Sequence, residues 1–184
     1  MMKFTLSTDH WLNEARHLVS PFYDERPDDE DISLLVVHNI SLPPGQFGGP
    51  YIEQLFTGTL DPAAHPFFKA IHKFRVSAHC LIRRDGTVIQ FVPFNARAWH
   101  AGVSSFAGRA RCNDYSIGIE LEGTDFTAYT QDQYESLAAV TNVLQDTYPL
   151  IVDQRITGHQ YIAPLRKTDP GLSFYWEKYH KLRK

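Results

Sequence analysis

Cysteine is scarce in this 184-residue chain, with Cys80 and Cys112 its whole complement. Two thiols this far apart supply no disulfide framework, and the plain reading is a thiol pair in a reducing compartment. Long apolar runs are missing too. No stretch approaches the roughly 20 apolar residues of a membrane span. The opening segment from Met1 to His10 puts Lys3, Asp9 and several polar residues where an export signal needs an apolar core. The expectation is an unexported, cytoplasmic protein with no membrane association. Internal repeats, low-complexity tracts and interdomain linkers are equally absent, which argues for one domain over residues 1–184. A hydrophobic share of 43% with 21% charged residues is ordinary for a chain that buries a full core.

A strong net charge is also lacking, the formal value being −3, yet the charge is unevenly spread. Eight acids lie between Asp9 and Asp31. Residues 69–111 hold eight Lys or Arg against one acid, Asp85, a local excess of seven. Such a block is either a solvated basic surface or a cleft for an anionic ligand. Nucleic acid is the weaker candidate, because the whole chain is acidic and carries no recognisable binding module.

What the sequence does contain is organised around short apolar runs. Ser33 to His38 is rich in β-branched residues and reads as a buried central strand ending at a histidine. Pro43-Pro44-Gly45 and Gly48-Gly49-Pro50 then break the chain, and a long irregular loop is expected from Leu42 to Phe68, where it shapes or closes a cleft. Cys80 to Val92 reads as two strands joined by a tight Asp85-Gly86 turn. In Tyr115 to Gly123, alternation sends Ile117, Ile119 and Leu121 to one face and Gly118, Glu120 and Glu122 to the other. Thr130 with Gln133 forms a capping-box signature. Tyr134, Leu137, Ala138, Thr141, Leu144 and Tyr148 continue it at helical spacing until Pro149. A last helix is expected over Phe174 to Leu182. The sum is an α/β (or α+β) domain, a central mixed β-sheet flanked by helices.

Nine histidines are present, and those at strand ends facing loops, His38, His79, His100 and His159, are the informative ones. His159, Lys167 and Asp169 stand within eleven residues on a Pro- and Gly-punctuated loop. A catalytic zinc takes three protein ligands and keeps one position open. His159, Asp169 and His38 would satisfy that count, though spacing alone leaves the site open.

Five segments then occur in a telling order: Val37 to Gly45, Ser77 to Ile82, Trp99 to Gly102, Ser116 to Gly123, and Thr157-Gly158-His159 through Asp169-Pro170-Gly171. With them the chain resembles the zinc-dependent N-acetylmuramoyl-L-alanine amidases related to phage T7 lysozyme and the peptidoglycan-recognition proteins, over roughly Trp11 to Trp176. The resemblance implies Zn2+ held by His38, His159 and Asp169, with Glu120 as catalytic carboxylate and Lys167 as the cation over the reacting carbonyl. Aspartate at the third ligand position, where many relatives have cysteine, matches the cytoplasmic branch that recycles wall fragments. That branch cleaves the amide between 1,6-anhydro-N-acetylmuramic acid and L-alanine and so indirectly lowers β-lactamase induction.

By the same resemblance Asn39, Arg75, Ala98, Trp99 and Arg111 contact an anhydro-muropeptide substrate, the arginines gripping its carboxylates. No nucleic acid, membrane or obligate protein partner is implied. An amidase of intact peptidoglycan and a non-catalytic muropeptide-binding module are the competing readings. Neither Glu122 nor the histidines 79 and 100 receive a role at this level.

Overall fold

The alternation just described builds a sheet whose two middle strands are covered on both faces. A computed structural model of the chain describes residues 3–183. In chain order its strands are β1 (Arg16–His17), β2 (Tyr23–Asp24), β3 (Leu34–Ile40), β4 (Cys80–Ile82), β5 (Val88–Gln90), β6 (Arg97–Ala98), β7 (Ser105–Phe106), β8 (Arg109–Ala110), β9 (Ser116–Glu122) and β10 (Ile156–Gly158). The helices are α1 (Tyr51–Thr57), α2 (Phe68–Ile71), α3 (Gln131–Thr147), α4 (His159–Ile162) and α5 (Trp176–Leu182).

Six strands form the main sheet in the order β1-β5-β4-β9-β3-β10, with β4, β9, β3 and β10 parallel and β5 antiparallel to β4. Leu35 and Val37 of β3 and Ile117, Ile119 and Leu121 of β9 pack under α3, against Tyr134, Leu137, Val140 and Leu144, with Tyr179 of α5 alongside. Leu34 and Val36 face the other way, into a cluster with Ala101, Cys112, Tyr115 and Ile162. Burial on both faces explains why β3 reads as a continuous apolar run, while β9 keeps its alternation because one of its faces holds the site. Each such side chain stabilises the fold by about 1.5–3 kcal/mol.

The expected strands and the capped helix are present. The Asp-Gly turn joins β4 to β5, with Gly86 at φ +82°. The loop reading of residues 42–68 needs correction. The segment contains α1, whose Ile52, Leu55 and Phe56 pack with Leu42, Leu60 and Phe68 against Leu81, Ile89 and Phe91 on the sheet. It is a packed layer. Pro50 precedes α1 with no side-chain cap, and seven residues are too few for helical periodicity to show in the sequence. The last helix starts at Trp176 rather than Phe174, a difference within ordinary end variation.

β3, β9 and β10 all end at the same edge, and ligand sites in parallel sheets lie beyond the carboxyl ends of strands. His38 is paired in register with Glu120, and Gly158 with Val37, so that His159 enters α4 beside them.

Helix α3 roofs this sheet and depends on its first turn. Thr130 Oγ1 accepts from the Gln133 amide at 3.1 Å, Gln133 Oε1 accepts from the Thr130 amide at 3.1 Å, and the Thr130 hydroxyl donates to the Arg84 carbonyl at 2.7 Å. Thr130→Ala is expected to lower unfolding free energy by about 1 kcal/mol. Urea unfolding with an unchanged m-value checks this, and an unshifted midpoint would contradict it.

Candidate metal centre and active site

Three side chains from two distant parts of the chain converge at the strand ends. His38 Nδ1 lies 3.0 Å from His159 Nδ1 and 3.0 Å from Asp169 Oδ2, and His159 Nδ1 lies 3.1 Å from the same oxygen. The two imidazoles are buried, and the Asp169 side chain is 13% exposed. The outward contact of His159 settles its tautomer. His159 Nε2 donates to the Ala101 carbonyl at 3.0 Å, which leaves its Nδ1 as a bare lone pair. His38 Nε2 has His100 Nδ1 at 2.9 Å. The inner nitrogen of His159 is thus free to ligate, and that of His38 is free when its proton sits on Nε2.

Burial holds the His38 imidazole down to about 4, against the opposing pull of Asp169. Burial would raise the Asp169 carboxyl, but its contacts with His159 and His38 outweigh that and keep it well below the usual carboxylate range. Two unprotonated nitrogens and a carboxylate oxygen facing one another call for a cation. A tetrahedral zinc with bonds of about 2.0–2.1 Å has ligand atoms about 3.3 Å apart. The triangle comes close to that edge, so the residues fit a zinc ion with its fourth position left open.

Glu120 lies beside this triangle and is buried, with no hydrogen-bond partner for Oε2. Its carboxyl is pushed well above the ordinary value, by burial first and by the Asp169 charge second, with Lys167 pulling the other way. Glu122, two residues on, does a different job. It accepts from Gly48 N at 2.7 Å, from Arg83 Nη1 at 2.9 Å and from Arg84 N at 3.2 Å, and so fixes the segment leading into α1. The equivalence of the two carboxylates in the sequence is broken by these partners. Lys167 is exposed on the loop between α4 and Asp169.

The remaining predicted residues are spread around the edge. Asn39 donates to Asp125 Oδ1 at 2.9 Å and to the Pro170 carbonyl at 3.1 Å, tying the end of β3 to the segment that carries Asp169. Ala98 is fully buried, backbone included, so the structure presents none of its surface to a ligand. Trp99 donates from Nε1 to Asp24 Oδ1 at 3.0 Å and stacks on Phe22.

The basic block does not form one anionic cleft. Arg83 pairs with Glu53 and Glu122, Arg97 with Asp24 and Asp114, Arg109 with Asp31, and Arg111 with Asp114. Asp24 and Asp31 of the acid-rich early segment take two of these arginines, and Glu53, Asp114 and Glu122 supply the other partners, pairings that linear charge counting does not see. Among the described residues Arg75 is the one arginine with neither a hydrogen bond nor an ion pair. Its guanidinium lies over the rings of Phe22 and Trp99, at 5.9 and 5.8 Å from their centroids.

Two features escaped the sequence reading. His79 is a backbone fastener: its Nδ1 accepts from Gly118 N at 3.0 Å, and its Nε2 lies 3.1 Å from the Ala96 carbonyl and 3.2 Å from the buried Arg26. Gly118 is a cradle, since a Cβ there would sit 2.4 Å from the His100 ring. A glycine inside an otherwise alternating strand marks close approach, and that signal was available.

With this geometry in place, comparison with known proteins is direct. Residues 28–172 match the N-acetylmuramoyl-L-alanine amidase family, and the chain belongs to it. It is thus an amidase, a hydrolase acting on an amide bond. A relative from Citrobacter freundii, the 1,6-anhydro-N-acetylmuramyl-L-alanine amidase AmpD, is 66% identical over 96% of this chain and 94% of its own length. A crystal structure of a selenomethionine AmpD derivative, 65% identical, superposes with a TM-score of 0.95 over 98% of this chain and 100% of that one. AmpDh3 from Pseudomonas aeruginosa, solved in complex with anhydromuramic pentapeptide, is 28% identical. It matches with a TM-score of 0.62 over 85% of this chain and 61% of that chain. No helix among the described residues is long and apolar enough to cross a membrane.

Glu120 yields a stability test in metal-free protein. Its folded-state value is raised, so the native state holds the proton more tightly than the unfolded chain does. Native stability from this group is intact below about pH 4.5 and is lost as pH rises toward the raised value. Glu120→Gln is expected to raise the urea midpoint relative to the parent at pH 8, with the gap closing toward pH 4.5. A gap that stays constant with pH would contradict the assignment.

Proposed function

We propose that this amidase hydrolyses the bond joining 1,6-anhydro-N-acetylmuramic acid to the L-alanine of its stem peptide, with zinc held by His38, His159 and Asp169. The observation carrying the reading is the convergence of two bare Nδ1 atoms and one carboxylate oxygen beside the unpartnered Glu120 carboxyl. Support comes from the 66% identity to a relative named for that bond, and from a further relative solved with an anhydromuramic peptide. In this reading residues 1–184 act as one catalytic domain on soluble fragments in the cytoplasm. In a cell that induces β-lactamase in response to such fragments, the reaction lowers the inducing signal.

An amide is a poor electrophile with a poor leaving group, so each step needs help. Zinc in such a setting supplies a water acidified toward a pKa of about 7 and polarises the carbonyl. Glu120 accepts the proton of the attacking water and returns it to the departing L-alanine nitrogen. Its upward-shifted carboxyl suits a group that must hold the proton between the two transfers. The Lys167 ammonium neutralises the oxyanion that develops on the carbonyl oxygen, an effect of roughly 10²–10³ in kcat for donors of this kind. Arg75, held over Phe22 and Trp99 with no ion pair of its own, binds a carboxylate of the stem peptide, and Arg111 does so by exchanging Asp114 for substrate. Asn39 and Trp99 line the peptide and sugar.

Purified protein incubated with anhydro-muramoyl tripeptide is expected to release free peptide, to stop on chelation and to recover on zinc addition. Glu120→Gln should lower kcat by about 10²–10⁴, whereas Arg75→Ala should act mainly on KM. Faster release from intact peptidoglycan than from the fragment would overturn the recycling assignment. Fragment binding without any release by zinc-loaded protein would overturn the proposed reaction.

A further inference from the structure

Two histidines in the site motifs, His79 and His100, are not needed by the mechanism above. His79 is accounted for by backbone hydrogen bonds. His100 is not. Its ring is half-buried, and both nitrogens meet side chains: Nδ1 lies 2.9 Å from His38 Nε2, and Nε2 lies 3.1 Å from Ser116 Oγ. The His38 and His100 rings meet edge to face at 88°. Space for this ring exists only because residue 118 is glycine.

We propose that His100 is a positioning residue that fixes His38 as a metal ligand, acting as the acceptor that holds the His38 proton on Nε2. The donor order along the row is determined by its ends. If His38 is to ligate through Nδ1, its proton must sit on Nε2 and be donated to His100 Nδ1. His100 must then carry its own proton on Nε2 and donate it to the Ser116 hydroxyl. The order is therefore set from the His38 end, and the Ser116 hydroxyl completes it by accepting the far proton of His100. His159 reaches the same end differently, by donating to the Ala101 carbonyl, a carbonyl that also accepts from Arg166 at 2.6 Å. The two ligating histidines are thus oriented by unlike partners. A carbonyl has no alternative tautomer, whereas an imidazole acceptor works only while its own proton stays on the far nitrogen. The His38 side of the site is the one that a single distant hydroxyl can disturb.

The inference rests on His38 being a ligand, so the experiment first measures zinc affinity of the parent protein by competition with a chromogenic chelator. His100→Phe keeps a ring but offers no acceptor, and should weaken zinc binding by about 10–100-fold. His100→Gln can present a carbonyl oxygen to His38 Nε2 and should recover affinity to within about threefold of the parent. Ser116→Ala, which leaves the imidazole in place, should give an intermediate loss. In ring-nitrogen NMR of the metal-free protein, the protected His38 Nε2 proton should be seen in the parent and in His100→Gln but not in His100→Phe. If His100→Phe does not fold, Ser116→Ala and His100→Gln still decide the matter through affinity and the His38 signal. Parent-like affinity with an unchanged His38 signal in the folded Phe variant, or in Ser116→Ala where Phe fails to fold, overturns the positioning role alone. Failure of the parent to bind zinc overturns the ligand assignment with it.

Discussion

His38 and Glu120 stand side by side because β3 and β9 run parallel in one register, Leu34 opposite Ser116 through Ile40 opposite Glu122. Side chains alternate along a strand, so a slip of one residue would turn His38 into the apolar layer under α3 and bring a valine or asparagine to the site. The slip is prevented by the other face: Leu35, Val37, Ile117, Ile119 and Leu121 must all leave water together. Packing remote from the chemistry therefore sets the separation of the chemical groups, and β10 joins the same register to deliver His159.

A site built this way carries a cost in the folded protein. The imidazoles of His38, His79 and His159 and the carboxyl of Glu120 are buried where ordinary proteins keep apolar side chains. The outward contacts with Ala101 and His100 offset part of that cost and hold the rings at fixed angles. Glu120 Oε2 is left with no hydrogen bond.

Much of this was legible in the residues. Alternation in 115–123, the capping box at Thr130 and the Asp85-Gly86 turn each encode a local preference, and each is found where expected. The ligand triad was readable only through resemblance, since nothing in linear spacing says that residue 38 meets residue 169. Helix α1 was missed because its stability is tertiary, coming from Phe56 and Ile52 on the sheet rather than from a cap. The basic block was misleading for the same reason: its partners Asp24, Asp31 and Glu53 are distant in sequence and adjacent in space. The role of Glu122 followed from Gly48 and Arg83, which no local pattern ties to it.

The spread of the ligands along the chain has a consequence for the lifetime of the protein. His38 is 121 residues from His159 and 131 from Asp169, so an unfolded chain holds no comparable triad. A cation that binds only the native arrangement, at a thousand times its dissociation constant, would deepen the native well by about 4 kcal/mol. Starved of such a cation, the proposed site would lose that stabilisation, and the chain would unfold more often and be exposed to proteolysis. The amount of this enzyme, and not merely its activity, would then follow the free zinc of the cell.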